Sequence, residues 1–318
     1  MTMTRWGILG ASKFARQHMG PAIALATGAE LAAVATRDPK KADPFKSLNA
    51  QLRVHENYDA MLADPDIDAI YVPLPNDLHT PWAIKALEAG KPVLVEKPAS
   101  LSVAEMDKLI AARDATGVFA AEAFMITHHP QWVKMRELYQ SGVLGELRRV
   151  DGVFTYDNHA DTSNIRHQAE RGGGSVPDIG VYPYGAVRFV TGQEPTSILH
   201  KSIQREMGVD VTTRILAEFD GFEFAALTSM RMARWQYMEF HGSNGVARLS
   251  APFNPISFAE ARLDLIHASG LTESFAWPGV NQYVLQVEAF QKALQGEDYA
   301  CPLEFSRGTQ AMIDEILA

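Results

Sequence analysis

Val93-Leu94-Val95-Glu96-Lys97-Pro98, preceded by Gly90-Lys91-Pro92, is the stretch that decides the fold. Three apolar residues, two of them β-branched, suit a short strand buried on both faces, as in a parallel sheet. In such sheets ligands bind beyond the carboxyl ends of the strands, which is where Glu96, Lys97 and the rigid Pro98 stand. A surface Glu-Lys pair ending a strand would look the same in isolation, so the reading depends on the surrounding chain.

Upstream, Trp6-Gly7-Ile8-Leu9-Gly10 reads as a strand running into a turn. Residues 14–26 carry helical spacing, with Phe14, His18, Ala22 and Leu25 on one side. Gly10, Ser12 and Ala15 occupy the small-residue positions of a dinucleotide fingerprint, Ser12 replacing the second glycine. Small residues let the backbone approach a pyrophosphate at the helix amino end, so Gly10, Ala11, Ser12, Lys13 and Phe14 are expected cofactor contacts. An ordinary strand-to-helix turn would use the same residues. The next strand, 30–36, ends in Thr36-Arg37-Asp38-Pro39. A hydroxyl and a guanidinium there suit a ribose 2′-phosphate, so NADP is expected, with NAD possible. Asp38 before Pro39 has the simpler role of helix cap.

A short helix at 58–62 and a strand at 68–72 follow, then the loop Pro73-Leu74-Pro75-Asn76-Asp77-Leu78-His79. Pro75, Asn76 and His79 are expected at the cofactor, His79 alternatively as a cap for the helix 80–89, which Gly90 ends. After the opening strand come a helix at 102–115 and a strand at 118–121. Strands alternating with helices over 120 residues predict a doubly wound parallel sheet, a Rossmann domain over 1–121.

The whole chain has 318 residues, enough for about two domains. A net charge of -9 and the absence of a basic block argue against nucleic-acid binding. One cysteine, Cys301, cannot form an intramolecular disulfide, and ten scattered histidines show no zinc-ligand spacing, so no metal site is expected. The amino terminus lacks a secretory apolar core, and no window approaches 18 uninterrupted apolar residues, so no membrane association and a cytoplasmic location are expected.

The second half changes character. A helix at 128–139 is followed by strands at 147–156, 196–204, 212–219, 222–229, 236–241 and 245–249, with turns at Asp220-Gly221 and Ser243-Asn244-Gly245. The expectation for 122–318 is an α+β domain with a large, mostly antiparallel open sheet backed by helices, giving an α/β protein overall. Between strands lies Gly172-Gly173-Gly174-Ser175-Val176-Pro177-Asp178-Ile179-Gly180-Val181-Tyr182-Pro183. Consecutive glycines fit a loop against a ligand or a mobile surface turn; Pro177 marks a helix start, and Asp178 and Tyr182, four apart, then share a face.

With Gly10-x-Ser12-x-x-Ala15, Pro75-Asn76-Asp77-Leu78-His79, Glu96-Lys97-Pro98, Glu122-Ala123-Phe124-Met125, His129-Pro130-Gln131, Asn164-Ile165-Arg166 and the glycine-rich segment in this order, the chain resembles the Gfo/Idh/MocA oxidoreductases. It is most similar to the branch of aldose (xylose-type) dehydrogenases and dimeric dihydrodiol dehydrogenase. The resemblance implies a nicotinamide-dependent enzyme acting on a sugar or related vicinal diol, with Lys97, Tyr182 and Asp178 catalytic. It further implies that Phe124, Asn164, Arg166, Asp178 and Tyr182 meet the substrate, and that Glu96 meets the cofactor ribose or anchors its strand. Lowering a tyrosine from about 10 by two or three units requires roughly 3 to 4 kcal/mol, which a lysine ammonium within ~4 to 6 Å can largely supply where water is excluded.

Oxidation of an aldose such as xylose or glucose to its lactone is therefore the leading expectation. Reduction of a sugar-like ketone or aldehyde and a non-catalytic dinucleotide sensor are the alternatives; keeping both Lys97 and Tyr182 argues against the sensor. The resemblance also implies a homodimer through the open face of the second sheet. Phe224, Trp235 and Tyr237 are candidates for that interface or for the core.

Overall fold

The computed structural model describes residues 3–318. They form two compact units. One runs through Met125 and takes in Asn281–Arg307; the other comprises Ile126–Val280 and Gly308–Ala318.

The first unit holds strands β1 (Thr4–Leu9), β2 (Ala29–Ala35), β3 (Arg53–His55), β4 (Ala69–Val72), β5 (Val93–Val95) and β6 (Ala120–Glu122). All pair in parallel, in the order β3-β2-β1-β4-β5-β6. That is the doubly wound order, with its switch point between β1 and β4. Period-two alternation divides each strand between two cores: Ile70, Val72, Val93 and Val95 join the helices His79–Glu88 and Val103–Thr116, while Trp6, Ile8, Tyr71 and Leu94 join Met19 and Ile23 on the other face. The helix ends follow local chemistry. Ser102 Oγ accepts from Glu105 N at 3.2 Å while the Glu105 carboxylate accepts from Leu101 N, and Gly90 turns the chain at φ +73°.

Two expectations change here. The helix after β1 begins as a π turn, Ala15–Met19, before the α-helix Gly20–Leu25. The wider turn shifts the phase, so Ala15, Met19, Ala22 and Ile23 are buried and Leu25 is 71% exposed. The division at 121/122 also moves. Val287 and Phe290, on the helix Gln282–Ala293, complete the core around Trp6, and the Trp6 and Phe290 rings lie 4.9 Å apart. The first core is thus finished by residues from the end of the chain.

The second unit is built on strands β7 (Leu147–Asp157), β8 (Ser197–Glu206), β9 (Val209–Phe219), β10 (Phe222–Ser229), β11 (Arg231–Gly242), β12 (Gly245–Leu249), β13 (Ala261–His267) and β14 (Thr272–Trp277). The last two were not anticipated. Their order is β14-β13-β12-β11-β7-β10-β9-β8, antiparallel except for β7 beside β10. Helices Pro130–Gln140 and Val181–Thr191 pack within this unit, the latter on β7. Gly152 permits that closeness, since a Cβ there would lie 3.1 Å from Pro183 Cβ.

Strand alternation sorts the three aromatic residues. Phe224 is fully buried, packed edge-on to Tyr184 and Phe219, so it belongs to the helix-covered core and not to an interface. Trp235 is 53% exposed and Tyr237 half-buried.

Candidate functional site

Each unit carries its own cluster of candidate side chains. In the first, β1 ends at Leu9 and Gly10 turns the chain at φ +91°, a conformation that disfavours a Cβ. A Cβ there would also lie 3.0 Å from Leu74 Cδ2, so the glycine keeps the space over the strand ends open. Ser12 Oγ accepts from Ala15 N at 3.0 Å and so caps the turn it opens. Ala11, Ser12 and Phe14 are half-buried and Lys13 exposed around the same turn. These residues fit a dinucleotide pyrophosphate: a glycine cradle, a helix amino end and the switch point coincide.

At the end of β2, Thr36 Oγ1 accepts from Asp38 N at 3.2 Å and donates to the Asp38 carbonyl at 3.3 Å, so its hydroxyl shapes the turn. Asp38 accepts from Lys40 N at 3.1 Å, the capping role expected of it. Arg37 is exposed, its charge felt by Tyr58. Of the two expected contacts, Thr36 and Arg37, Arg37 is the group whose side chain is exposed.

The loops after β4 and β5 are tied together by His79. Its Nδ1 lies 2.7 Å from the Pro98 carbonyl and its Nε2 2.7 Å from the Leu74 carbonyl. Burial pushes its pKa down against those two carbonyls. Both nitrogens face backbone carbonyls, one of which takes the N–H of the neutral ring, so His79 turns no ring nitrogen to a cofactor and acts as a brace. Pro75 and Asn76 lie half-buried on the same loop. The Lys97-Pro98 peptide is cis.

Glu96 accepts from Tyr71 Oη at 2.5 Å and from Lys97 N at 3.3 Å. Burial pushes its carboxyl pKa up to about 7, opposed by the Tyr71 hydrogen bond and the Lys97 charge and reinforced by Glu122. Tyr283, from the helix Gln282–Ala293, feels the Glu96 charge and packs its ring on Phe14 and His18 at 5.7 and 5.4 Å. Sequence reading did not find Tyr71 or Tyr283. Tyr71 looks like a core strand residue, and Tyr283 lies 187 positions beyond Glu96. Phe124 is 1% exposed, its ring 6.2 Å from that of Phe305, which makes it a packing residue here rather than a ligand surface.

In the second unit, Val176–Gly180 forms a π turn leading directly into the helix Val181–Thr191, so Asp178 and Tyr182 share one helix opening. Asp178 Oδ2 accepts from Tyr156 Oη at 2.7 Å and from Arg166 Nε at 2.7 Å. The Asp178 charge raises the pKa of Arg166; burial, then Asp178, raises that of Tyr156. Tyr156 is a third residue that sequence reading did not find; it continues the inward-facing series Val150, Gly152, Phe154 along β7. Asn164, expected at the substrate, is used locally. Its oxygen accepts from Arg166 N at 3.1 Å and Nη1 at 3.4 Å, and its nitrogen donates to Asp161, so the amide aims Arg166. Tyr182 is 5% exposed, its ring 5.6 Å from Phe154 and 5.7 Å from Phe253.

Among the described residues no group of three or more His, Cys, Asp or Glu could hold a metal ion, and no helix is long and apolar enough to cross a membrane. Family models match both units: "Oxidoreductase family, NAD-binding Rossmann fold" over residues 4–124, and the "GFO/IDH/MocA C-terminal domain" over 132–248. The chain belongs to the Gfo/Idh/MocA oxidoreductases. Within that family it is 35% identical to a dTDP-3,4-didehydro-2,6-dideoxy-alpha-D-glucose 3-reductase of Saccharopolyspora spinosa, over 92% of this chain and 87% of the relative. It is 30% identical to D-xylose 1-dehydrogenase (NADP(+)) 2 of Haloferax volcanii, over 98% and 95%. Its fold superposes with a TM-score of 0.91 on a crystal structure of a 3-ketoreductase from Actinomadura kijaniata in complex with NADP and TDP-benzene, at 30% identity, covering 99% of this chain and 97% of the other. Xylose-type dehydrogenases and sugar ketoreductases are thus both family relatives of this chain.

Proposed function

We propose that this protein interconverts an alcohol and a carbonyl on a sugar or related vicinal diol, using NADP(H). The observation that carries the reading is the shared helix opening: Asp178, held by Tyr156 and Arg166, stands four residues before the buried Tyr182. In this assignment Tyr182 exchanges the proton with the reacting oxygen, Lys97 supplies positive charge for the oxyanion, and Asp178 accepts from a neighbouring hydroxyl. Arg166 helps orient the same ring. When bound, the nicotinamide accepts or supplies the hydride. Gly10 to Phe14 would hold the pyrophosphate, Arg37 the 2′-phosphate, and Pro75, Asn76 and Glu96 the nicotinamide half.

The relatives support a change of emphasis. Oxidation of a free aldose led at the level of sequence; the 35% identity to a deoxysugar 3-reductase favours reduction of a ring ketone as the first reading. Aldose oxidation stands as the second, on the D-xylose dehydrogenase relative. The outward row Leu227, Val153 and Tyr237 across β10, β7 and β11, with the exposed Trp235, is assigned to a homodimer contact.

Absorbance of the reduced cofactor, followed with NADP(H) and NAD(H) over keto-sugars, aldoses and vicinal diols, tests the reading alongside Tyr182→Phe. Turnover that drops at least a hundredfold in the variant is expected. Full activity in Tyr182→Phe removes that residue from the chemistry, and tight NADPH binding without turnover on any compound makes the protein a sensor. A monomer by light scattering at micromolar concentration rejects the dimer.

A further inference from the structure

A carboxylate outside this machinery lies beneath the helix opening that carries it. Asp210, at the start of β9, is 1% exposed. It accepts from Ser175 Oγ at 2.6 Å, from the backbone N–H of Val176 at 2.8 Å and from Thr213 Oγ1 at 3.2 Å. Ser175 Oγ also meets Thr228 Oγ1 of β10 at 3.1 Å. Gly174 precedes this contact at φ +126°, and a Cβ there would lie 2.1 Å from Asp210 Oδ1, so the glycine both permits the turn and leaves room for the carboxylate.

An ordinary helix cap is the residue just before the helix, and it fixes the helix end only to its own chain. Ser175 makes no such cap of its own. Val176 N instead donates to a residue 34 positions away, on a strand of the sheet. The opening of the helix is therefore registered against the rigid sheet. Asp178 is two residues beyond that anchor and Tyr182 six. A buried acceptor with three donors is also costly to remove, because the donors are left unsatisfied.

We propose that Asp210 is a positioning residue for the reaction: by holding Ser175 and Val176 against β9 it sets the place of Asp178 and Tyr182. The assignment rests on the functional reading above. It extends that reading to a residue that touches no reacting atom.

The test compares Asp210→Ala, Asp210→Asn and Ser175→Ala for kcat, KM and NADPH affinity, with Asp210→Ala repeated in an Asp178→Asn background. Asp210→Ala is expected to lower kcat about a hundredfold with NADPH affinity within twofold of the parent. Asp210→Asn, which keeps an acceptor for Val176 N–H, recovers most of that loss. In the Asp178→Asn background the further loss shrinks to a fewfold, because both changes act through one group. Should Asp210→Ala not fold, Ser175→Ala carries the question, with a loss of about tenfold and the same lack of additivity. Wild-type kcat in these variants, fully additive losses, or a parallel loss of NADPH affinity overturns the assignment alone. A parent protein that binds NADPH and turns over nothing overturns the functional reading, and this assignment with it.

Discussion

Tyr156 Oη and Arg166 Nε converge on a single oxygen, Oδ2 of Asp178, each at 2.7 Å. Two donors on one carboxylate oxygen, one of them a guanidinium, fix the direction of its lone pairs. Removing the tyrosine hydroxyl leaves the ring to pack and deletes one charge-assisted bond, worth about 1.5 to 3 kcal/mol. Tyr156→Phe should therefore lower kcat/KM by about ten- to a hundredfold, with an unchanged circular-dichroism spectrum and unchanged NADPH affinity. Steady-state kinetics check it; parent-like kcat/KM detaches Tyr156 from the site.

Arg37 is exposed at the end of β2, while the Thr36 hydroxyl and the Asp38 carboxylate are occupied in the local turn. In the proposed NADP(H) reading one guanidinium then carries the recognition of a 2′-phosphate. Arg37→Asp is expected to weaken NADPH binding by about a hundredfold and NADH binding by less than threefold, a loss of roughly 2.7 kcal/mol. Fluorescence titration with both cofactors measures the difference, and equal losses would count against this role.

Glu96 should make stability fall as pH rises. Its folded pKa of about 7 stands above the ordinary 4.5, so between those values the folded state keeps a proton that the unfolded chain releases. The loss begins near pH 4.5, grows to roughly 3 kcal/mol and levels off above pH 7. Urea unfolding of the parent and of Glu96→Gln across pH 4.5 to 8 tests it; the variant should lack this component, and an identical slope in both would remove Glu96 as its source.

His128 and His129 act with the opposite sign. Burial lowers both to about 4 from 6.5, so on acidification the unfolded chain takes up protons first. Their contribution is complete above pH 6.5 and is lost as pH falls toward 4, by up to about 3 kcal/mol each. His129→Asn is expected to flatten part of the acid limb in thermal melts between pH 4 and 6.5. A melt profile parallel to that of the parent contradicts it.

The sequence by itself determined the alternation of strands and helices, the glycine at the end of β1, the strand that delivers Glu96-Lys97-Pro98 and the mostly antiparallel second sheet. Those features are local: periodicity, turn residues and helix caps are written within a few positions of where they act. Tertiary structure decided the rest. His79 reads as a cofactor ligand in its motif and becomes a brace because two backbone carbonyls, one of them 19 residues away, reach its nitrogens. Asn164 is drawn into its own turn, and Phe224 into the core. Tyr156, Tyr283 and Asp210 were silent in the sequence, since nothing nearby distinguishes them from packing residues. Their roles come from the partners that folding brings within hydrogen-bond or charge range: Tyr156 to Asp178 across 22 positions and Asp210 to Val176 across 34 by direct bonds, Tyr283 to Glu96 by its charge. A side chain's chemistry is local, but its partner is set by topology, and the partner decides whether a carboxylate binds, positions or merely packs.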